Sequence, residues 1–184
     1  GLSMQLAEFR NRLNDRLDHD RFAEVDASSN GLQVGDETAT VERVAFAVDG
    51  AVATVEAAAE ANADVLVVHH GMIWGGIDRV AGREYERIAA CIDNDVALYV
   101  SHLPLDAHGA LGNAVELAAF LDCEPISPFG EYGGVTIGHR VQAKETYTVE
   151  ALRNRLSDLE TDDQPVRTMD FGPECIEEIA IVTG

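Results

Sequence analysis

Lysine is almost missing from this sequence. Lys144 is the only one in 184 residues, and every other basic side chain is an arginine. Lys plus Arg total 13 against 33 Asp plus Glu, a formal net charge of −20. Phosphate backbones are held by clustered basic side chains, and no run of Lys or Arg exists here, which argues against nucleic acid as the main partner. An acidic, lysine-poor chain fits a halophilic protein, whose surface carboxylates hold water while salt screens their repulsion. Cysteine is also scarce. Cys91, Cys123 and Cys175 are widely spaced and form no CxxC pair, which excludes a zinc knuckle and a disulfide framework. Free, mostly buried thiols in a reducing, cytoplasmic setting are expected. No apolar run approaches the ~20 residues that span a bilayer, so no membrane segment is expected. No signal peptide is visible, and Gly1-Leu2-Ser3 before Met4 reads as a cloning remnant. A GxGxxG fingerprint after a strand, a Walker A loop and a GxSxG elbow are all absent, which leaves nucleotide-cofactor and serine-hydrolase chemistry without a motif.

What is present is a strong hydrophobic pattern, 46% of residues, enough to bury a core. Residues 4–18 place Leu6, Phe9, Leu13 and Leu17 on one helical face. An Asn30-Gly31 turn precedes a short extended piece. Strands are predicted over 41–50, 64–70 and 96–102. Helices are predicted over 51–62, 83–95 and 111–122, the second with Tyr85, Ile88, Ala89 and Ile92 inward. This alternation implies an α/β fold, a parallel-rich sheet with helices on both faces. The Pro- and Gly-rich stretch 123–134 marks a boundary, giving one lobe over 1–123 and a second over 124–184. In the second, a strand is expected at 133–141, a helix at 148–159 with Thr148 as a possible cap, and a strand at 165–171.

The final segment "EEIAIVTG" (177–184) echoes "ERVAFAVDG" (42–50). After the first copy come a helix and a further strand; after the second the sequence stops. The expectation is a chain truncated or cleaved before a second strand–helix–strand unit, so that the second lobe is incomplete.

Candidate chemistry concentrates at two strand ends, the edge where open α/β sheets bind ligands. "DVLVVHHGMIW" ends an apolar strand on His69-His70 and turns on Gly71. Neighbouring strand residues point to opposite faces, but at a strand end both rings can lean over the edge toward metal. "SHLPLDAH" brings His102, Asp106 and His108 into one strand-to-loop segment. Imidazole plus carboxylate suits Zn, Mn, Fe or Co without choosing among them. Asp106 could bind one ion, bridge two, or cap the helix that follows. His102 and His108 could ligate, or orient ligands and water. Asp49 could hydrogen-bond a ligating imidazole or simply make a turn before glycine; Asn30 carries the same choice. Met72, Ile73 and Trp74 read first as core packing, and could still wall the site and keep it dry. His19 and His139 receive no role.

"NGLQVG", "DVLVVHHGMIW", "IDNDVALYVSHLPLDAHGALGN" and the closing "EEIAIVTG" together resemble the Nif-three-like (YbgI-like) proteins, often labelled GTP cyclohydrolase 1 type 2 homologues. The resemblance runs in order over nearly the whole chain. It implies two similar α/β lobes, a dinuclear metal site and a toroidal hexamer. It implies that His69 and His70 each bind one of two divalent ions and that Asp106 binds one. His102 or His108 is expected to move protons beside them. The expected function is metal-dependent hydrolysis of a small-molecule substrate, a GTP-like nucleotide by the family label; the alternative is a non-enzymatic metal-binding scaffold acting through protein partners. The family's remaining ligands lie in a His-x-x-x-Glu segment that this sequence lacks, so little or no turnover is expected of it.

Overall fold

The structure is a computed structural model and describes residues 3–159 and 165–182. The chain divides into two compact units, one ending at Leu105 and the other beginning at Asp106; the sequence reading set its boundary later, after residue 123.

The first unit runs β1 (Met4–Gln5), α1 (Leu6–Leu17), a 3-10 turn (His19–Phe22), β2 (Gly31–Val34), β3 (Thr40–Val41), β4 (Val44–Asp49), α2 (Val52–Glu60), β5 (Val65–His70), α3 (Gly82–Asp93) and β6 (Ala97–Val100). Its main sheet has the order β2-β6-β5-β4. β4, β5 and β6 are parallel, and β2 adds an antiparallel edge. β5 and β6 are apolar at successive positions because both faces of the sheet are covered. Val65, Ala97 and Tyr99 pack with Leu6 and Leu17 of α1. Leu66, Val68, Leu98 and Val100 pack on the other face with Val55 and Ala58 of α2 and Cys91 of α3. The expected α/β layering is therefore present.

One helix face differs from expectation. Tyr85 and Ile92 were placed inward, yet they are 60% and 62% exposed, while Cys91 is at 1%. Each residue turns the helix about 100°, so seating the small Cys91 against the sheet carries Tyr85 and Ile92 to the flank.

The second unit holds α5 (Asn113–Phe120), β7 (Cys123–Tyr132), β8 (Val135–Thr148), α6 (Val149–Ser157) and β9 (Cys175–Val182); α4 (Leu103–Ala107) runs across the boundary in sequence. The strands form an antiparallel sheet in the order β7-β8-β9. Ala114 and Ala118 of α5 pack with Cys123, Val141 and Ile181 of that sheet. The Pro- and Gly-rich stretch expected as a boundary is mostly strand. β7 is an edge strand, so Pro125 and Pro128 cost no interior ladder bond, and the pairing shifts between Pro125 and Ser127. Gly133 and Gly134, at φ 57° and 86°, make the hairpin turn into β8. The strand expected at 165–171 does not form. Its alternating apolar residues find no ladder partner, and Met169 and Phe171 are 87% and 93% exposed. Thr148 does cap α6, its hydroxyl accepting the Ala151 amide at 3.1 Å.

Among the described residues no helix is long and apolar enough to cross a membrane. Cys91 and Cys123 are buried and Cys175 is exposed. Burial pushes the Cys91 thiol up to about 11, which keeps it protonated and unreactive.

Candidate metal centre

β4, β5 and β6 run parallel and therefore deliver their carboxyl ends to one edge of the first unit. There Asp49 stands opposite His70 in register, and β6 leaves the sheet into Ser101 and His102. The fold thus brings His102 to the histidine pair. Ring centroids lie 4.5 Å apart for His69 and His70, 4.9 Å for His69 and His102, and 5.6 Å for His70 and His102. Each of the three offers a ring nitrogen within 4.8 Å of the other two, close enough to share one ion. Three half-buried imidazoles are a donor set that suits a borderline divalent cation.

Two of these rings are tied to carboxylates. His70 Nδ1 lies 2.9 Å from Asp49 Oδ1, an exposed pair. His102 Nδ1 lies 2.9 Å from Asp26 Oδ1, and the Asp26 side chain is only 2% exposed. A carboxylate accepts only, so while each contact is made Nδ1 donates and, in a neutral ring, Nε2 keeps its lone pair. A carboxylate behind a ligating imidazole is a recurrent feature of metal sites. The donor set and its supports fit a divalent ion.

Asp26 is held on all sides. Its oxygens accept the Ser28 amide at 3.0 Å, the Asn30 side-chain amide at 2.8 Å and the Leu103 amide at 2.9 Å, besides His102. Burial pushes its carboxyl up, but the donors from Asn30, His102, Leu103 and Ser28 outweigh burial and hold it below the usual carboxylate value. Asn30 completes the clamp by accepting the His102 backbone amide at 2.8 Å.

The loop after His70 is fastened as tightly. The Gln33 side chain accepts the Met72 and Ile73 amides at 2.9 and 3.2 Å and donates to the Ser29 carbonyl at 2.8 Å. Gly71 is required by this approach: a Cβ there would lie 2.5 Å from both Gln33 Oε1 and Val100 Cγ2. Met72 is buried as expected, but Trp74 is 44% exposed. Its ring stands edge-on to His102 at 5.0 Å and 6.2 Å from His70, so it walls the cluster rather than filling the core.

The other two candidates fall in the second unit. Asp106 is fully buried and accepts the Asn113 side-chain amide at 3.1 Å. His108 Nδ1 accepts the amides of Ala110 and Leu111 at 3.1 and 2.9 Å, fastening its ring to its own loop.

Sequence reasoning missed Asp26, Gln33 and His19. "DASSN" carries the signature of an Asx turn, which the Ser28 amide bond confirms. Nothing in the sequence says that the same carboxylate reaches a histidine 76 positions away. His19, given no role, is buried. Its Nε2 lies 3.0 Å from Ser101 Oγ and its ring stacks on Tyr99 at 5.5 Å.

Comparison with known proteins agrees with the resemblance seen in the sequence. Residues 4–184 match the family model described as Duf34/NIF3 (NGG1p interacting factor 3). A Halobacterium salinarum protein named GTP cyclohydrolase 1 type 2 homolog is 49% identical over 182 residues, covering 98% of this chain and 71% of that protein. A Pyrococcus abyssi protein of the same name is 44% identical over 160 residues, covering 86% of this chain and 63% of that one. Among solved structures, TTHA1606 from Thermus thermophilus is similar with a TM-score of 0.82 and 33% identity, over 98% of this chain and 71% of that one. The chain therefore spans about two thirds of the length of these relatives.

Proposed function

The chain belongs to the Duf34/NIF3 family, and on that footing we propose that it binds divalent metal at the carboxyl edge of its parallel strands, as part of a metal-dependent hydrolase acting on a small, nucleotide-like substrate. The observation that carries this reading is the convergence of His69, His70 and His102, with one ring nitrogen of each inside a common 4.8 Å limit. These three hold the cation through ring nitrogens, and Asp106 is assigned to the same dinuclear set by the family resemblance. A bound divalent ion supplies Lewis acidity, polarising a substrate oxygen and acidifying water. The chain's own groups prepare the site. Asp49 and Asp26 accept hydrogen bonds from Nδ1 of His70 and His102, which directs the other nitrogen of each ring to the cation. Trp74 shields the cluster on one side. His108 is the imidazole assigned to proton movement, since both ring nitrogens of His102 are committed, one to Asp26 and one to the cation. The substrate class rests on the name carried by the relatives, "GTP cyclohydrolase 1 type 2 homolog". Metal binding is the property assigned to this stretch.

The test is metal loading. After chelation and reloading with zinc, manganese or cobalt, the chain should retain metal, and His69→Ala, His70→Ala and His102→Ala should each weaken retention by about tenfold or more. Equal loading of all three variants and the parent removes the reading. If the parent loads, metal-dependent release of product from GTP is the second readout.

A further inference from the structure

Asp26 and Asp49 look alike on paper, since each accepts Nδ1 of a histidine in the cluster at 2.9 Å. Their surroundings differ. Asp49 is 65% exposed and its partner His70 43%, so water competes for both groups. Asp26 is 2% exposed and His102 15%. The Asp26 carboxylate is also anchored independently of the imidazole, by the Ser28 and Leu103 backbone amides and the Asn30 side chain. Asn30 in turn grips the His102 backbone. The His102 ring is therefore fixed at both its backbone and its Nδ1, by contacts that the protein alone supplies. Trp74 limits the ring from the side.

We propose that Asp26 is a positioning residue that locks His102 in the Nδ1–H form, so that Nε2 is a ready ligand atom before metal arrives, whereas His70 is set only when metal binds. This rests on the metal-binding reading above. The chemistry is a matter of hydrogen-bond direction. An ionised Asp26 can only accept, which forces Nδ1 to donate. In Asp26→Asn the single side-chain oxygen can serve only one pair of donors; kept on Leu103 and Asn30, it turns the amide NH2 toward His102 and the Ser28 amide. Nδ1 must then accept, the ring proton moves to Nε2, and the lone pair needed for metal is lost.

Two measurements on the chain test this. The first is imidazole nitrogen-15 chemical shifts in the metal-free protein at about pH 8, where an ordinary imidazole is neutral. His102 should show one Nδ1–H species and His70 an exchanging mixture. The second is cobalt(II) titration followed by absorbance. Asp26→Asn should move His102 to the Nε2–H species and weaken cobalt about 10–100-fold, while Asp49→Asn should weaken it less than about tenfold. A wild-type His102 that exchanges between tautomers, or that carries its proton on Nε2, overturns the proposal; this spectrum needs no variant, so a poorly folding Asp26→Asn protein does not shelter it. Equal cobalt affinities for the two aspartate variants also overturn it. Cobalt binding with a mobile His102 sinks the positioning role and leaves the metal reading standing. A locked His102 in a chain that takes up no cobalt supports the lock and removes the metal reading.

Discussion

His19 should make this protein acid-sensitive in a way its carboxylates do not. The ring is buried beneath Tyr99, against Ser101. Burial lowers its pKa from 6.5 to about 4, against opposing charge from Asp20 and Asp26. A folded-state value below the unfolded one means that the unfolded chain binds the proton more tightly. The stability that neutral His19 contributes is then complete above pH ~6.5 and is lost as pH falls toward about 4. At about 1.4 kcal/mol per factor of ten in proton affinity, the full loss is of order 3 kcal/mol, of which about 2 kcal/mol has gone by pH ~5. The perturbation is His19→Gln, which keeps a polar group toward Ser101 and cannot titrate. Wild type alone is a poor probe, because protonating carboxylates on a chain of net charge −20 relieves repulsion over an adjoining range. The difference between wild type and variant removes that common contribution. Urea unfolding in high salt at pH ~7.5 and ~5 should show wild type losing about 2 kcal/mol more than the variant between the two pH values. A wild-type-minus-variant difference that stays constant with pH would show that His19 is not held neutral, and the reasoning fails.

Two further outcomes follow from named contacts. Gly71→Ala places a methyl group 2.5 Å from Gln33 Oε1 and Val100 Cγ2. Stability should fall by roughly 1–3 kcal/mol, and cobalt affinity should fall with it because the loop after His70 must shift; unchanged melting would show that the loop yields freely. The net charge of −20 over 184 residues should make stability rise with potassium chloride between about 0.1 and 2 M, where the screening length shrinks from ~10 Å to a few ångströms. A flat melting temperature across that range would refute a fold limited by self-repulsion.

Legibility in the sequence followed from periodicity and position. Val65 to Val68 is apolar at every step, which marks a strand covered on both faces, and the structure covers both. The His pair at the end of that run had to emerge at a sheet edge, and it does. The same logic misled where a pattern was local and the deciding partner was not. The alternation in 165–171 looks like a strand, but a strand exists only if another accepts its ladder, and none does. The prolines of 123–134 look like a boundary because the sequence does not state that this strand sits at an edge, where a missing amide is harmless. Tyr85 and Ile92 share a helical stripe with Ile88, yet which stripe faces inward was set by the seat available to Cys91.

The chain's order of apolar and polar residues by itself determined the parallel strands, their shared carboxyl edge, the arrival of His69 and His70 there, and the family to which the protein belongs. Only the folded structure decided that His102 joins the pair, that Asp26 stands behind it, and that Trp74 walls the cluster instead of entering the core. The physical reason is range. Strand and helix periods arise from each residue and its near neighbours, whereas a carboxylate meets an imidazole 76 positions along the chain only after strand order and loop path have been fixed.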